Sequence, residues 1–272
     1  MTTEFFNATV HEGYDPLYRF AVSTCRDPED ALDLTQNAFH KLAQKGHTLR
    51  IQILIPVFQD REALCACLHH LLTHWMPEEV LVIDSGEDGA GAEAEKMGVR
   101  THFSPPERRG RAKQMNDGAA RVPEADLLVF LHADTRLPRA AREALCTAFR
   151  QGGVGGGFSR RFDSPSRFLG FTCRLADLRG RTMGWFLGDQ VQFVRGDVFR
   201  SLGGFSEIPL FEDLDFSRRL KKQGRVSLLT PPVISSARRF EADGAFTRTW
   251  KDLRLTLRYL RRGIQTDTTV AS

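Results

Sequence analysis

The chain has 272 residues, of which 41% are hydrophobic and 26% are charged, and its formal net charge at pH 7 is +4. These values are close to the averages of globular proteins, so the composition excludes a largely disordered chain, and the small positive charge does not indicate a nucleic-acid-binding protein. The five cysteines form no C-x-x-C pattern, which argues against a disulfide framework or a zinc site.

The first 48 residues are predicted to form two short helices, one on either side of the sequence CRDPED. Apolar residues recur there at helical spacing, and Pro28 with its acidic neighbours suits the first turn of a helix. The stretch LYRFAVSTCRDPEDALDLTQNAFHKLAQ resembles the beginning of region 2 of an extracytoplasmic-function sigma factor. Because the resemblance stops before the promoter-reading helices, it implies no nucleic-acid binding. We expect residues 1–48 to pack on the remaining chain or to bind a protein partner.

From residue 49 onward, the sequence predicts alternating strands and helices. The predicted elements are strand IQILIPV, a helix over Ala63–Trp75, strand VLVID, a small helix, a short strand near Val99–Phe103, a helix at Gly110–Arg121, strand LLVFL and a helix over Ala140–Arg150. This succession is typical of an α/β fold with a mainly parallel sheet and helices on both faces, which we assign to residues 49–272. Ligands bind such sheets at the carboxyl ends of the strands, where this sequence places PVFQ, DSG and HAD.

Three common classes of α/β enzyme lack support in the sequence. No G-x-G-x-x-G or G-x-x-x-x-G-K-[ST] motif follows the first strand, which argues against a Rossmann dehydrogenase and a phosphate-loop NTPase. No G-x-S-x-G motif is present, which argues against an α/β-hydrolase. The glycine-rich stretch GGVGGGF does not open a helix, and we predict a strand there that another backbone approaches closely.

Four features follow one another in a recognisable order: the strand-end Asp84 and the sequences GRAKQMNDGA, LHAD and GGFSEIPLFEDLDFSRRL. Together they resemble the family-2 nucleotide-sugar glycosyltransferases with the GT-A fold, over residues 51–240. The closest resemblance is to the subgroup associated with arsenosugar biosynthesis. It implies inverting transfer of a sugar from a nucleotide-sugar donor, UDP-sugar by default and GDP-sugar as the alternative. The acceptor would be a hydroxyl of a small molecule or of a lipid-linked compound.

The resemblance implies that Asp84 binds the nucleotide base, and an ionised carboxylate accepts well from a base N–H. Pro56, at the end of the first strand, belongs to the same donor-binding set. The family sequence DGGSxDGT is replaced by DSGEDGA, which is one residue shorter, so Asp88 is a second candidate for this role. The alternative for Asp84 is a turn residue, because Asp-Ser-Gly favours turns.

The sequence GRAKQMNDG predicts a helix whose first turn binds an anion. Backbone N–H groups and the positive end of the helix dipole suit a diphosphate, and Gly110 and Arg111 are the candidate residues. One turn later, Asn116 would contact the ribose or a phosphate. The alternative is a solvated helix face, and it applies more to Lys113 than to Arg111.

The strand-end sequence His132-Ala133-Asp134 replaces the family's Asp-x-Asp motif, whose last acid holds a divalent metal. The resemblance therefore assigns Asp134 to Mg²⁺ or Mn²⁺ and gives His132 a contact with the donor. Mg²⁺ often needs only one or two carboxylates in addition to substrate phosphates. We predict that metal binding depends on bound nucleotide.

The acidic pair Glu212-Asp213 matches the acceptor-side motif of the family. Asp213 is the predicted general base, and Glu212 would support it or bind the acceptor. Acids at a helix start also favour the helix dipole, which is the structural alternative. The Gln-x-x-Arg-Trp motif of processive members is replaced by SARRF, so a polymer synthase is not expected. Arg239 in this stretch is a candidate for neutralising the leaving diphosphate.

A basic amphipathic helix is predicted over residues 246–262, rich in Arg and Lys and containing Trp250. It would lie on an anionic lipid surface or dock on its own sheet with its arginines in water. No stretch is long and apolar enough to span a membrane, and the first residues lack a signal-peptide pattern. We therefore predict a cytoplasmic protein, with a peripheral site at the inner membrane face as the second option.

Two other functions compete with sugar transfer. A nucleotidyltransferase would use a similar sheet but needs a basic, glycine-containing loop after the first strand, where this chain has PVFQDRE. An adaptor protein with a sigma-like segment would bind a sugar nucleotide without catalysis. The presence of both Asp134 and Asp213 favours the enzyme, since a sensor needs no general base.

Overall fold

The computed structural model describes residues 49–238, 240 and 244–262, together with Val22 and Thr35. The chain separates into two compact units, Met1–Leu49 and Arg50–Ser272. In the first unit Val22 and Thr35 are helical, and Thr35 is fully buried. The rest of the predicted helical pair in residues 1–48 lies outside the described residues, and so does Arg239.

Four strands form the parallel half of the sheet: β1 (Ile51–Val57), β2 (Val80–Asp84), β3 (Arg100–Phe103) and β4 (Leu127–Phe130). The helices that follow the first three are α1 (Arg61–Leu71), α2 (Ala90–Lys96) and α3 (Arg111–Ala120). Every residue of β2 and β4 is buried, because strands covered by helices on both faces carry continuous apolar runs. β3 is partly exposed, as expected for an edge strand.

The first helix ends four residues earlier than predicted. α1 ends at Leu71, and the backbone then turns so that the N–H groups of His74 and Trp75 both donate to the Leu71 carbonyl. Trp75 is nevertheless 4% exposed. Apolar burial therefore continues beyond the helix, which is why helical spacing alone extended the prediction to Trp75.

The second half contains the remaining elements. They are β5 (Thr135–Arg136), α4 (Ala141–Arg150), β6 (Gly155–Phe162), α5 (Arg167–Met183), β7 (Gln192–Arg195), α6 (Gly196–Ser201), α7 (Glu212–Lys221), β8 (Val226–Ser235) and α8 (Ala245–Arg262). The predicted close approach at the glycine-rich strand is confirmed, since a Cβ on Gly156 would collide with the backbone of Ser227 on β8. None of the described helices combines the length and the apolarity that crossing a bilayer requires.

The eight strands of the described chain form one sheet in the order β3-β2-β1-β4-β7-β6-β8-β5. β1 pairs in parallel with both β2 and β4. Strands β2 and β3 are added on one side of β1 and β4 on the other, so the strand order reverses between β1 and β4. Ligands of open α/β sheets bind at such a point. β7 runs antiparallel to β4, which brings the residues before β7 to the edge where β4 ends. The predicted fold class, an α/β fold whose sheet has helices on both faces, is confirmed; the sheet, predicted as mainly parallel, is mixed, with three antiparallel strand pairs in the described chain.

A cluster of four phenylalanines attaches α6, α7 and the loop between them to the sheet. The cluster consists of Phe130 on β4, Phe199 on α6, Phe205 in the loop before α7, and Phe216 on α7. The ring centroids of its contacting pairs lie 4.4–5.6 Å apart. All four are almost fully buried. Aromatic pairs at these separations contribute beyond their buried area. The cluster therefore fixes the loop between Phe205 and α7, and with it the acidic pair at the start of α7.

Candidate active site

Several polar segments meet at the edge where β1 and β4 end. Leu131 to Asp134 follow β4, the turn Gly188–Gln190 precedes β7, and Ser235 lies opposite Thr135 on β5. The Thr135 and Ser235 hydroxyls are 3.1 Å apart, and the Ser235 hydroxyl also donates to the Asp189 carbonyl. The predicted convergence of polar residues at the strand ends is thus present in this half of the sheet.

Asp84 lies under its loop, with its carboxylate 2% exposed. One oxygen accepts from the Gly86 N–H and the other from the Gly91 N–H, both at 2.7 Å. These bonds hold the loop between β2 and α2, which agrees with the turn alternative. Asp88 accepts from the Arg61 N–H at 2.9 Å and so caps α1. Base contact by Asp84 stays a prediction and would use the second lone pair of each oxygen.

The start of α3 borders a cavity of about 430 Å³. Its wall consists of residues 109–113 at the helix start and residues 207–210 with Glu212 on the other side. Gly110 has a φ of 123°, in the range that favours glycine, and it sets the backbone direction into the helix. Arg111 Nη1 lies 3.3 Å from Glu212 Oε1 across the cavity. The predicted diphosphate-binding turn therefore opens toward a space that a ligand can enter.

Glu212 is the buried acid of the acidic pair, with 5% of the residue exposed. Burial raises the pKa of Glu212, and the neighbouring Asp213 raises it further. The Arg111 guanidinium opposes this shift. Arg111 thus forms an ion pair with Glu212, and an anion that enters the cavity would compete with Glu212 for the Arg111 guanidinium.

Asn116 points away from the cavity toward the loop that precedes α7. Its amide nitrogen donates to the Phe205 carbonyl at 2.9 Å, and its amide oxygen accepts from the Phe205 N–H at 2.8 Å. A Cβ on Gly204 would lie 2.5 Å from the same amide oxygen, and the φ of Gly204 is 74°. Asn116 therefore positions the Gly203–Phe205 turn, and the predicted donor contact has no supporting geometry here.

The carboxylate of Asp213 is held by two backbone N–H groups. Gly188 donates to Oδ2 and Leu214 donates to Oδ1, each at 2.6 Å. An ideal Cβ on Gly188 would lie 2.6 Å from both Nε2 and Cε1 of His132 and 3.2 Å from Asp213 Oδ2. Gly188 therefore fills the space between His132 and Asp213. The structure brings together two residues that the sequence assigned to opposite sides of the reaction.

Two buried polar side chains, Gln192 and Ser217, hold the turn that carries Gly188 in place. Gln192 Nε2 donates to the carbonyls of Phe186 and Asp213, both at 2.8 Å, and Gln192 is 3% exposed. The Ser217 hydroxyl accepts from the Phe186 N–H at 2.7 Å. A single glutamine thus ties the turn to the first residues of α7.

A buried charged group lies next to this turn. Arg160 pairs with Asp189, and Arg179 donates to the Gln190 side chain at 2.7 Å. Burial lowers the pKa of Arg179 to about 10, Arg160 contributes to the same shift, and Asp213 opposes it. The Arg179 guanidinium therefore lies within electrostatic reach of the Asp213 carboxylate.

Asp134 is half-buried at the end of β4, beside the segment that follows β8. Its backbone carbonyl accepts from the Ser236 N–H at 3.1 Å. Among the described residues, its carboxylate receives one weak hydrogen bond, from the Thr135 hydroxyl at 3.4 Å. Arg238, in this segment, pairs with Asp60 at 2.7 Å, and Asp134 contributes to raising the pKa of Arg238. A carboxylate whose oxygens keep unused lone pairs can coordinate a hard cation that a diphosphate also coordinates.

Asp134 is the residue that the sequence assigns to a metal ion. Within the described ranges, no three His, Cys, Asp or Glu side chains are grouped to hold a metal ion. One carboxylate and the phosphates of a bound nucleotide are compatible with Mg²⁺ or Mn²⁺. The dependence of metal binding on nucleotide stays a prediction.

Sequence reasoning missed the turn before β7 and its supports. No role was predicted for Gly188, Asp189 and Gln192. Gln114 on α3 was also missed, and its side-chain amide donates to the carbonyls of Val57 and Ile83 at 2.9 and 2.8 Å. The available signal was the polar GDQ and Gln192 inside an apolar stretch, since buried polar residues in such a context need hydrogen-bond partners. Pro56 is half-buried in β1 next to Ile83 of β2, one residue before the strand ends.

The sequence model of glycosyl transferase family 2 matches residues 52–191. No curated protein sequence matches the chain at a significant level. The matched range covers β1 to the turn before β7, and it includes Asp84, Arg111, Asp134 and Gly188.

Solved structures with this fold include a mannosyltransferase from Pyrobaculum calidifontis in complex with GDP-Man and Mn²⁺. It is 22% identical with a TM-score of 0.50, over 69% of this chain and 56% of that one. Glucosyl-3-phosphoglycerate synthase from Mycobacterium tuberculosis, in complex with Mn²⁺, UDP and phosphoglyceric acid, is 16% identical with a TM-score of 0.42, over 66% and 65%. A putative glucose-1-phosphate thymidylyltransferase from Bacillus anthracis is 11% identical with a TM-score of 0.48, over 73% and 95%. The chain thus spans less than two thirds of the length of the first two.

Proposed function

The chain belongs to glycosyl transferase family 2, and on this premise we propose that it transfers a sugar with inversion from a nucleoside-diphosphate sugar to an acceptor hydroxyl. The default donor is a UDP-sugar, with a GDP-sugar as the alternative. The observation that carries the proposal is the Asp213 carboxylate, held by the Gly188 N–H next to His132 at the edge where β4 ends. This arrangement presents a base where a donor bound along the edge would expose its anomeric carbon.

The donor side of the proposed site consists of the loop of Asp84, the first turn of α3 and the end of β4. Gly110 and Arg111 line the 430 Å³ cavity, and backbone N–H groups at the start of a helix suit a diphosphate. Asp134 would hold the divalent metal together with that diphosphate. When bound, the metal would offset the negative charge that develops on the leaving group. His132 would contact the donor sugar or phosphate.

On the acceptor side, Asp213 would accept the proton of the acceptor hydroxyl. The acceptor oxygen forms its bond to the anomeric carbon while the bond from that carbon to the diphosphate oxygen breaks. The nucleoside diphosphate leaves with the bonding electrons. The two N–H donors of Asp213 fix the orientation of its carboxylate, so that little reorganisation is needed when the acceptor arrives. Glu212 would support Asp213 or bind the acceptor.

Two finer assignments belong to the same proposal. The sequences GRAKQMNDGA and LHADT support membership of the subgroup associated with arsenosugar biosynthesis, with the protein acting in the cytoplasm. Residues 1–48 would form a separate sigma-like segment that binds a protein partner, and residues 49–272 would carry the transfer.

The proposal is tested with the variant Asp213→Asn in the full chain. We expect transfer to fall about 10²- to 10⁴-fold, the usual contribution of a positioned base, while nucleotide affinity stays unchanged. Asp197→Asn is the matched control, because Asp197 is exposed and pairs with Arg195 away from the site. NMR of the product should show the anomeric configuration opposite to that of the donor. Full activity of Asp213→Asn, or retained configuration, would contradict the proposed mechanism.

A further inference from the structure

Helix α5 carries an apolar stripe that faces solvent. Phe171, Leu175 and Leu178 are 56%, 49% and 57% exposed, although they follow one another at the i, i+4, i+7 spacing of a buried helix face. The same helix buries a different face, through Leu169 and Cys173 among others. α5 is therefore apolar on two faces, and the second one lacks a cover in the described part of the chain.

A row of arginines runs along one edge of this stripe. Arg167, Arg174 and Arg181 are exposed and recur every seven residues, so they lie on one side of the helix. Together with Arg161, Gly170 and Phe171, the first two line a cavity of about 430 Å³. Asp177, on the same helix, is half-buried and pairs with Arg161 at 3.5 Å. The stripe is thus bordered by positive charge that fits an anionic partner.

Helix α8 extends the same surface. Phe246 and Trp250 are 69% and 56% exposed, one helical turn apart. The ring of Phe246 lies 5.8 Å from that of Phe168, which precedes Phe171 by three residues on α5. Lys251, Arg254 and Arg258 are exposed at the i, i+3, i+7 spacing of one helix face. Both helices therefore combine exposed aromatic or aliphatic residues with a basic row.

The surface formed by α5 and α8 adjoins the acceptor side of the site. α5 leads into the turn that carries Gly188, which donates to Asp213. At the other end, Tyr259 of α8 stacks on Phe211 with ring centroids 5.0 Å apart, and Phe211 directly precedes Glu212. Whatever binds this surface is therefore held next to the proposed base.

We propose that the surface of α5 and α8 docks on an anionic lipid bilayer. The apolar side chains would enter the boundary between headgroups and acyl chains, and the arginines would contact lipid phosphates. A bilayer satisfies both features at once, since it offers apolar depth under a layer of negative charge. Docking would hold Asp213 near the headgroups, where a lipid-linked acceptor would present its hydroxyl; this last step rests on the proposed function.

The test is co-sedimentation of the full chain with vesicles of phosphatidylcholine containing 30 mol% phosphatidylglycerol, compared with pure phosphatidylcholine. We expect binding to the anionic vesicles that weakens with added salt. Arg174→Glu should weaken vesicle binding about fivefold or more, because one basic residue at such a surface contributes roughly that factor. Phe171→Ser should weaken it by a similar factor, because it removes apolar surface that the bilayer would bury. The controls are Arg150→Glu at the end of α4 and Met76→Ser, which change exposed residues of the same kinds away from the surface.

A second readout locates the contact. Trp75 is buried, whereas Trp250 is exposed, so brominated lipid should quench part of the tryptophan emission in the wild type and less in Trp250→Phe. Equal binding to both vesicle types, or equal loss in the control variants, would overturn the docking surface. If the folded protein binds nucleotide but no vesicle, docking is wrong and the proposed function stands. If it binds vesicles but no nucleotide, the proposed function fails and docking stands.

Discussion

Gly188 is the residue on which the geometry of the site depends most closely. It donates its N–H to Asp213 and leaves no room for a side chain beside His132. The sequence did not single it out, because the requirement comes from two residues that lie 25 and 56 positions away in the chain. Asp134 and Asp213, in contrast, could be predicted from motifs, since each lies at the end or start of an element.

The variant Gly188→Ala tests this dependence. The new Cβ would lie 2.6 Å from the His132 ring, so the ring or the turn must move. We expect a loss of transfer of about 10²-fold, since a displacement of 1 Å near the reacting groups can cost that much. Gly170→Ala is the control, because a Cβ there meets no atom within 4 Å. Wild-type kcat/KM in a folded Gly188→Ala protein would show that the spacing of His132 and Asp213 is unimportant.

Glu212 predicts a specific pH dependence of stability. Burial and Asp213 raise the pKa of Glu212 above its ordinary value of 4.5, so the folded state binds its proton more tightly than the unfolded state. The contribution of this group to folding is therefore complete below pH 4.5 and is lost as pH rises through the raised pKa. The free energy of unfolding of wild type relative to Glu212→Gln should fall over that range.

Asp197 provides a comparison of opposite sign. The hydrogen bond from Arg195 lowers the pKa of Asp197, so wild type relative to Asp197→Asn should gain stability as pH rises through the acid range. Denaturant unfolding at a series of pH values measures both differences. A flat or rising difference for Glu212→Gln would mean that Glu212 is not held in a desolvated position.

At the scale of elements, α3 and α7 are joined through Asn116 and Phe205. The sequence predicted a helix at Gly110–Arg121, and the acidic pair Glu212-Asp213 suited the start of another helix. The sequence could not indicate that Asn116 is used by the Phe205 backbone, because such a contact spans 89 residues. The bonds from the Gly86 and Gly91 N–H groups to Asp84 could not be assigned from the sequence either, and contact of Asp84 with a nucleotide base stays a prediction.

The variant Asn116→Ala distinguishes the two roles of Asn116. It removes both partners of the Phe205 backbone in a partly buried position, and we expect the free energy of unfolding to fall by about 1–3 kcal/mol. The free energy of nucleotide binding should change less than the free energy of unfolding. Arg121→Ala, just beyond the end of the same helix, is the control, since Arg121 is exposed, lies outside the cavity wall and donates to the Asp117 carbonyl at 3.4 Å. Unchanged stability with much weaker nucleotide binding would restore the predicted donor contact.

At the scale of the whole molecule, alternating strands and helices were sufficient to predict the α/β sheet and the edge that carries the site. The antiparallel arrangement of β7 was not predicted, because it depends on pairing with β4 across more than 60 residues. That arrangement brings the Gly188 turn to the same edge as His132 and Asp134. For residues 246–262 the sequence left a lipid surface and docking on the protein's own sheet as alternatives, and our proposal extends the first to α5, whose exposed stripe becomes visible only when burial is known.

The central claim is that the edge of the sheet binds a nucleoside diphosphate through a shared divalent metal. Calorimetric titration of UDP, and separately of GDP, into the full chain with Mn²⁺ and again with EDTA tests it most directly. We predict binding of one nucleotide with Mn²⁺, much weaker binding with EDTA, and loss of this metal dependence in Asp134→Ala. Absence of binding of either nucleotide to the folded protein, or equal binding with and without metal, would contradict the account.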